Sequence, residues 1–266
     1  MTSPTSSGPV VLLGCGRLGS AIVEGWLKTG AVVPTELIIL TPSEKPAAEA
    51  ARAAGARINP SAGLLNDARV LVLATKPAMW RAALAPLIPH LGPQVTLVSV
   101  MAGVTASDIS KAAGRPVARV MPTTAVAQAR GVAALWASDP ATREMARLLF
   151  APMADIVDLD AEALIDAATA VAGSAPAFIY AFVQALAEAG EANGLAGEAA
   201  QRLARGALRS AGAGVETDDS LDALMARIAS PGGTTRAGLD AMAESGDLKR
   251  AAAAAVSAAV QRARSL

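Results

Sequence analysis

The sequence predicts an α/β protein: a doubly wound, mainly parallel sheet domain over residues 1–160, then an all-α domain over 161–266. Three observations predict it. In the first half, short runs of β-branched and aliphatic residues alternate with helix-forming stretches. The first of those runs leads straight into a glycine-patterned loop. After Asp160 the alternation stops, and nearly everything is Ala, Leu, Glu and Arg at helical spacing.

Five strand segments are continuous rather than alternating in polarity: Val10-Val11-Leu12-Leu13, Leu37-Ile38-Ile39-Leu40, Val70-Leu71-Val72-Leu73, Thr96-Leu97-Val98-Ser99 and Val117-Ala118-Arg119-Val120. Strands covered on both faces read this way, as in a parallel sheet between helix layers. Helical stretches fall between them, near residues 17–29, 44–54, 78–89 and 105–113. Segments 131–136 and 155–159 extend the sheet as edge strands and flank a helix near 140–150. The second half is broken only at Gly190–Gly197, Gly212–Asp219 and Pro231-Gly232-Gly233, so it reads as a helical bundle. Phe178 to Ala189 is apolar on nearly every face, which predicts packing against another subunit and hence a homo-oligomer.

The bulk numbers exclude several classes of function. Lys+Arg and Asp+Glu balance at 23 each, leaving no basic field for nucleic acid or a membrane surface. No uninterrupted apolar run approaches the roughly 20 residues of a bilayer span. Met1 to Pro9 is small, polar and uncharged, lacks the parts of a signal peptide, and reads as a frayed tail. The single Cys15 forms no internal disulfide and fits a reducing cytoplasm. No His/Cys/Asp cluster has metal-ligand spacing. The lone His90 stands at a helix end, where its cationic form suits the C-terminal dipole. A cytoplasmic protein acting on a small molecule follows.

Gly14-Cys15-Gly16-Arg17-Leu18-Gly19 follows the first strand and opens a helix. In that context the three glycines allow, in turn, a tight reversal, close approach of backbone to a pyrophosphate, and close helix–strand packing. Some twenty residues on, where an NAD site wants an acid for the ribose diol, the second strand runs into Thr41-Pro42-Ser43-Glu44-Lys45. Thr41, Ser43 and Lys45 suit a 2′-phosphate, which favours NADPH; Glu44 pulls the other way and keeps NADH open. Ala74-Thr75-Lys76-Pro77 and the loop carrying Ala102 and Gly103 leave the carboxyl ends of two further strands, the usual place for ligands. Met121 and Pro122, after the last core strand, fall on the nicotinamide side.

Ser230-Pro231-Gly232-Gly233-Thr234-Thr235 interrupts the helical half with two adjacent glycines and two hydroxyls. Successive backbone N–H groups at a helix start form an anion seat sized for a carboxylate. The same residues also read as a plain capped helix start.

With these pieces placed, the chain resembles the pyrroline-5-carboxylate reductase family along nearly its full length. The likeness rests on GCGRLG, on ATKP at 74–77, on SVMAGV at 99–104 and on RVMP at 119–122. It continues with Asp166-Ala167 leading to Ala172-Gly173-Ser174-Ala175-Pro176-Ala177-Phe178, and with SPGGTT. The resemblance implies a Rossmann domain followed by a helical dimerisation domain, with interlocked subunits and active sites at their interface. It implies NAD(P)H-dependent reduction of the cyclic imine L-1-pyrroline-5-carboxylate to L-proline. By motif position Thr235 is the substrate-contacting catalytic threonine, with Gly232, Gly233, Thr234, Met121 and Pro122 around the substrate. Glu162 stands where the family's arrangement brings an acid near the substrate, and equally reads as an exposed helix-start acid. The chain departs from the family at Thr123 and Ala125 (MPTTA for MPNTP), at Ala175 for Gly, at Phe178 for Tyr, and at Ser61, where an Asn often contacts the nucleotide.

Reduction of C=N requires the ring carbon about 3–3.5 Å from the hydride donor, an anchored carboxylate and a protonated nitrogen. The backbone N–H groups of Gly232, Gly233 and Thr234 are expected to anchor the carboxylate, and the Thr235 hydroxyl to reach the ring nitrogen. Three rivals stand beside this reading. A paralogue acting on a related cyclic imino acid fits the departures at Thr123 and Ala175. A β-hydroxyacid dehydrogenase requires a lysine base shortly after the Gly173-Ser174 helix start, and the following residues offer none. A catalytically silent NADP-binding regulator is opposed by the intact SPGGTT.

Overall fold

A computed structural model describes residues 8–265; residues 1–7 of the tail expected to be frayed lie outside them. The described residues form two compact units. One runs to Gly173 and takes in the chain from Ala259 onward; the other is Ser174–Ala258.

In the first unit β1 (Val10–Leu13), β2 (Leu37–Leu40), β3 (Arg57–Ile58), β4 (Val70–Leu73), β5 (Thr96–Ser99), β6 (Val117–Pro122), β7 (Gly131–Ala137) and β8 (Ala154–Asp158) make one sheet. Their order is β3-β2-β1-β4-β5-β6-β7-β8, and every neighbouring pair is parallel except β6 with β7. The expected α/β class is therefore the one observed. Both faces are covered, which is why the strands are apolar throughout. Val10 and Leu12 join one core with α1 (Arg17–Thr29), α2 (Pro46–Ala53) and, from the far end of the sheet, α5 (Pro140–Phe150). Val11 and Leu13 point the other way, into a second core with α3 (Trp80–Leu84) and α4 (Ala106–Ala113). Trp26 is wholly buried in the first core and donates its indole N–H to the Leu149 carbonyl at 2.9 Å.

Two elements differ from expectation. The helix foreseen over 78–89 is reduced to α3, five residues between 3-10 turns at Pro77–Met79 and Ile88–His90. Pro86 and Pro89 have no N–H to donate and stop the helix early. After β6 the chain reverses through a 3-10 turn at Thr124–Gln128, closed by Ala129 at φ 58°, so β7 returns antiparallel, and it lies between β6 and β8 rather than at the sheet edge expected for 131–136. Between β1 and β4 the winding changes direction. Strand connections leave to opposite sides there, opening a crevice at the carboxyl ends of the two strands.

Towards the end of this unit lies α6 (Ile165–Ala168), continued by a π-helical turn at Thr169–Ser174. Pro176 lacks the N–H that would bond back to Ala172, which gives a local reason for the widened turn. The second unit contains α7 (Ala175–Ala192), α8 (Gly197–Gly214), α9 (Leu221–Ile228), α10 (Thr234–Ser245) and most of α11 (Asp247–Arg264). α7 and α8 meet through Ala187, Ala200 and Ala204, small side chains that allow close approach. The helical run Glu162–Ala192, 31 residues long, reaches a mean hydropathy of 1.5. By length and composition it is long and apolar enough to cross a bilayer, although no single uninterrupted apolar stretch in it suggested so. Only 11% of that apolar window is buried within one chain.

Candidate active site

The glycine loop after β1 is a cradle whose dimensions exclude side chains. Gly14 has φ 102°, and a Cβ there would fall 2.6 Å from the Ala74 carbonyl oxygen; one on Gly19 would fall 2.3 Å from the Gly14 carbonyl oxygen. The first approach brings the loops after β1 and β4 together, and the second packs α1 against its own entry loop. Around Gly16, by contrast, an added Cβ would meet nothing within 4 Å, so that side of the loop is open. Gly16 is also the N-cap of α1 and provides no side-chain cap, which leaves the first-turn amides of Arg17, Leu18 and Gly19 without a side-chain acceptor. Open space before uncapped amides at a helix start fits a dinucleotide pyrophosphate. Cys15 is not exposed to react: it is 2% exposed, its thiol faces the Ser20 hydroxyl, and burial pushes its pKa up. The Lys45 charge acts on that thiol in the opposite direction.

Thr41, Ser43 and Lys45 lie on the turn between β2 and α2. Thr41 is buried and donates its hydroxyl to the Ser43 carbonyl at 3.0 Å, while the Ser43 side is exposed. Sequence reasoning missed the residue that holds this turn. Asn59, just past β3, donates its side-chain amide to the Thr41 carbonyl at 2.8 Å and accepts from the Thr41 N–H at 2.9 Å. The Asn-Pro pair at 59–60 signals a turn but not that long-range contact.

The loops after β4 and β5 are joined by a chain of polar contacts. Thr75 donates its hydroxyl to the Met101 sulfur at 3.3 Å, and the Arg119 guanidinium (Nη2) donates to the Met101 carbonyl at 3.2 Å. The same guanidinium pairs through Nη1 with Glu162 Oε1 at 3.1 Å, and that oxygen also accepts the Ala106 N–H at the start of α4. Arg119 is thus a buried charge on a central strand, neutralised by a carboxylate 43 positions on. Its presence in the apolar run VARV was the available signal, because a buried charge demands a partner. Glu162 is an anchored acid rather than an exposed helix-start one. Ala102 and Gly103, the latter at φ 70°, sit on the loop this network braces, while Lys76 and Pro77 leave β4 with Lys76 exposed. Met121 and Pro122 are buried: Met121 packs with Ala134 and Ile165, and Pro122 pairs with Ala133. Thr123 is buried too, its hydroxyl accepting the Val132 N–H at 3.3 Å.

In the helical unit, Ser230–Gly233 forms a tight turn before α10. Gly232 has φ 70°, a backbone that glycine adopts freely, and a Cβ on Gly233 would fall 2.6 Å from the Ser230 hydroxyl oxygen. The Gly233 N–H donates to the Ser230 carbonyl at 3.0 Å, so it closes the turn and is not a free anchor. Gly233 is the N-cap of α10 and offers no side-chain cap, which leaves the first-turn amides of Thr234 and Thr235 without a side-chain acceptor. Thr234 and Thr235 are exposed.

Comparison with known proteins bears on both units. The family model described as pyrroline-5-carboxylate reductase dimerisation matches residues 162–266, and that of NADP oxidoreductase coenzyme F420-dependent matches residues 9–103. The chain is 34% identical to pyrroline-5-carboxylate reductase of Thermus thermophilus over 95% of this chain and 96% of that one. It is 33% identical to the Pseudomonas aeruginosa protein of the same name over 89% of each. The structure of a pyrroline-5-carboxylate reductase from Coxiella burnetii superimposes with a TM-score of 0.87, at 28% identity and 98% coverage of both chains. By this full-length kinship the chain belongs to the pyrroline-5-carboxylate reductase family.

Proposed function

We propose that this protein reduces the C=N bond of L-1-pyrroline-5-carboxylate to give L-proline, the last step of proline biosynthesis, with NADPH as the reductant. The observation that carries the reading is the pair of helix starts without a side-chain cap, one at α1 beside open space at Gly16 and one at α10. They stand in a chain kin to reductases of that name. When bound, the reduced nicotinamide supplies the hydride. The residues of this chain bind, orient and polarise. The amides of Arg17 to Gly19 hold the pyrophosphate, while Ser43 and Lys45 take the 2′-phosphate. The amides of Thr234 and Thr235 hold the substrate carboxylate, which sets the face of the ring that is presented. The Thr235 hydroxyl hydrogen-bonds the ring nitrogen. An ordinary threonine is a poor acid, so the proton on nitrogen arrives with the substrate or from solvent. Glu162 works through the frame it shares with Arg119 and the α4 start, keeping the loop of Ala102 and Gly103 in place.

The helical unit is the seat of homo-oligomerisation, as a dimer or higher assembly. Tyr180, Leu203 and Ile228 are large apolar residues left exposed in one chain, and a second copy covers them more economically than a bilayer beside charges such as Glu188 and Arg202. The single buried thiol suits a reducing, cytoplasmic setting.

The test is to incubate the protein with NADPH and racemic pyrroline-5-carboxylate, following reduced-nicotinamide absorbance and proline formation. Thr235→Ala is expected to lower turnover roughly a hundredfold, the scale of one lost positioned donor, with NADPH affinity unchanged. Unchanged turnover removes Thr235 from catalysis. Tight NADPH binding without proline formation sinks the reaction and leaves another imine or a silent regulator.

A further inference from the structure

We infer that Asn59 is a positioning residue for cofactor choice: it presets the turn at 41–45 for a phosphorylated adenosine ribose. The inference rests on the reading of that turn as the 2′-phosphate site.

β3 is only two residues long, so the sheet edge ends before it can brace the carboxyl end of β2. A side chain takes over where the strand stops. The Asn59 N–H donates to the Ile39 carbonyl at 2.9 Å, continuing the ladder by one rung. The backbone then turns to φ 48°, a left-handed conformation that Asn tolerates better than most residues. That turn lays the side-chain amide along Thr41, where it both donates to the carbonyl and accepts from the N–H. One residue thus imitates both bonds of a paired strand. Thr41 in turn holds the Ser43 carbonyl through its hydroxyl. The peptide leading to Ser43 and Lys45 is therefore fixed before any ligand arrives.

Such fixing matters for a phosphate more than for a ribose diol. Hydroxyl and ammonium donors must stand within hydrogen-bond distance of oxygens on one tetrahedral group, and the β2 end itself carries no acid, the first being Glu44 between Ser43 and Lys45. A turn freed of its brace has to be ordered on binding, and that ordering weakens the complex.

The probes are adenosine 2′,5′-bisphosphate and 5′-AMP, with affinities measured by calorimetry on the intact protein. Asn59→Gly accepts the positive φ without strain and removes only the brace; Asn59→Asp keeps the acceptor but sets a carboxylate against the Thr41 carbonyl. Both variants are expected to bind the bisphosphate on the order of fivefold more weakly, with 5′-AMP changed by less than about twofold. KM for NADPH should rise in parallel while kcat and KM for the imino acid hold. Equal weakening of both probes overturns the inference, because Asn59 then supports adenosine in general. Unchanged bisphosphate affinity in both variants overturns it as well. Lys45→Ala separates the two layers. If it binds the bisphosphate as wild type does, the turn is not the phosphate site and the inference falls with that reading. Weakening in Lys45→Ala but not in Asn59→Gly defeats the inference alone.

Discussion

The sheet unit and the helical unit solve the problem of burying apolar surface in opposite ways. Val10, Ile22, Trp26, Leu71, Leu97 and Phe150 are fully buried within one chain, in the cores on the two faces of the sheet. On the helices, Ile228 is 70% exposed, Leu221 67%, Tyr180 64% and Leu203 61%. A core complete in one copy can hold a rigid ligand cradle. On the oligomer proposed above, a bundle with exposed Leu, Ile and Tyr has its core finished by a partner copy. The largest effect should therefore come from charging that face. Tyr180→Asp combined with Leu203→Asp is expected to release monomers and to lower turnover at least about a hundredfold, or about 2.7 kcal/mol in the barrier. NADP binding to the sheet unit should persist. Light scattering together with a cofactor titration checks both halves of the statement. An oligomer of wild-type size would remove the contrast.

Within the sheet unit, the cradle allows a sharper separation of folding from binding. A methyl on Gly19 collides with the Gly14 carbonyl oxygen at 2.3 Å, whereas a methyl on Gly16 meets no protein atom within 4 Å. Gly19→Ala should lower the melting temperature and cofactor affinity together. Gly16→Ala should leave the melting temperature near wild type and still weaken NADP about tenfold, because its methyl enters the ligand's space. Equal melting losses in the two variants would mean that the space before Gly16 is not a ligand seat.

The two units also differ in how far the amino-acid order disclosed them. Strands buried on both faces write themselves as unbroken Val, Leu and Ile, and β1, β2, β4 and β5 lie where those runs fall. The direction of β7 was not legible, because polarity patterns carry no sign for parallel or antiparallel pairing. β3 is too short to make a pattern at all. Pro86 and Pro89 did announce the shortening of α3, and the apolar stretch around them masked that message. At the site, glycines were readable because their spacing is local. The Asn59–Thr41 brace and the Arg119–Glu162 pair join residues 18 and 43 positions apart, and such contacts appear only once the sheet has brought the ends together. In the turn before α10, the glycine pair was legible, but which amide stays free depended on the bond from Gly233 to Ser230.

The smallest expected effect lies within the sheet unit, at the start of α5. Asp139 is the N-cap of α5 and accepts the Thr142 N–H at 2.8 Å. That hydrogen bond to the charged form holds the Asp139 carboxyl below its ordinary pKa of 3.8, a shift burial opposes only in part. A depressed folded-state pKa means that the cap stabilises the fold above the ordinary carboxyl range. Its contribution is then lost as pH falls through the lowered value. Asp139→Ala should cost about 1 kcal/mol near neutral pH, and the gap from wild type should narrow as the solution is acidified below the ordinary Asp range. Asp139→Asn keeps a side-chain oxygen for Thr142 but has no proton to take up, so its stability relative to Asp139→Ala should stay level across the same range. Urea unfolding of the three proteins at several pH values reads this directly. A constant Ala-to-wild-type gap down to strong acid would show that the Asp139 charge contributes nothing to the cap.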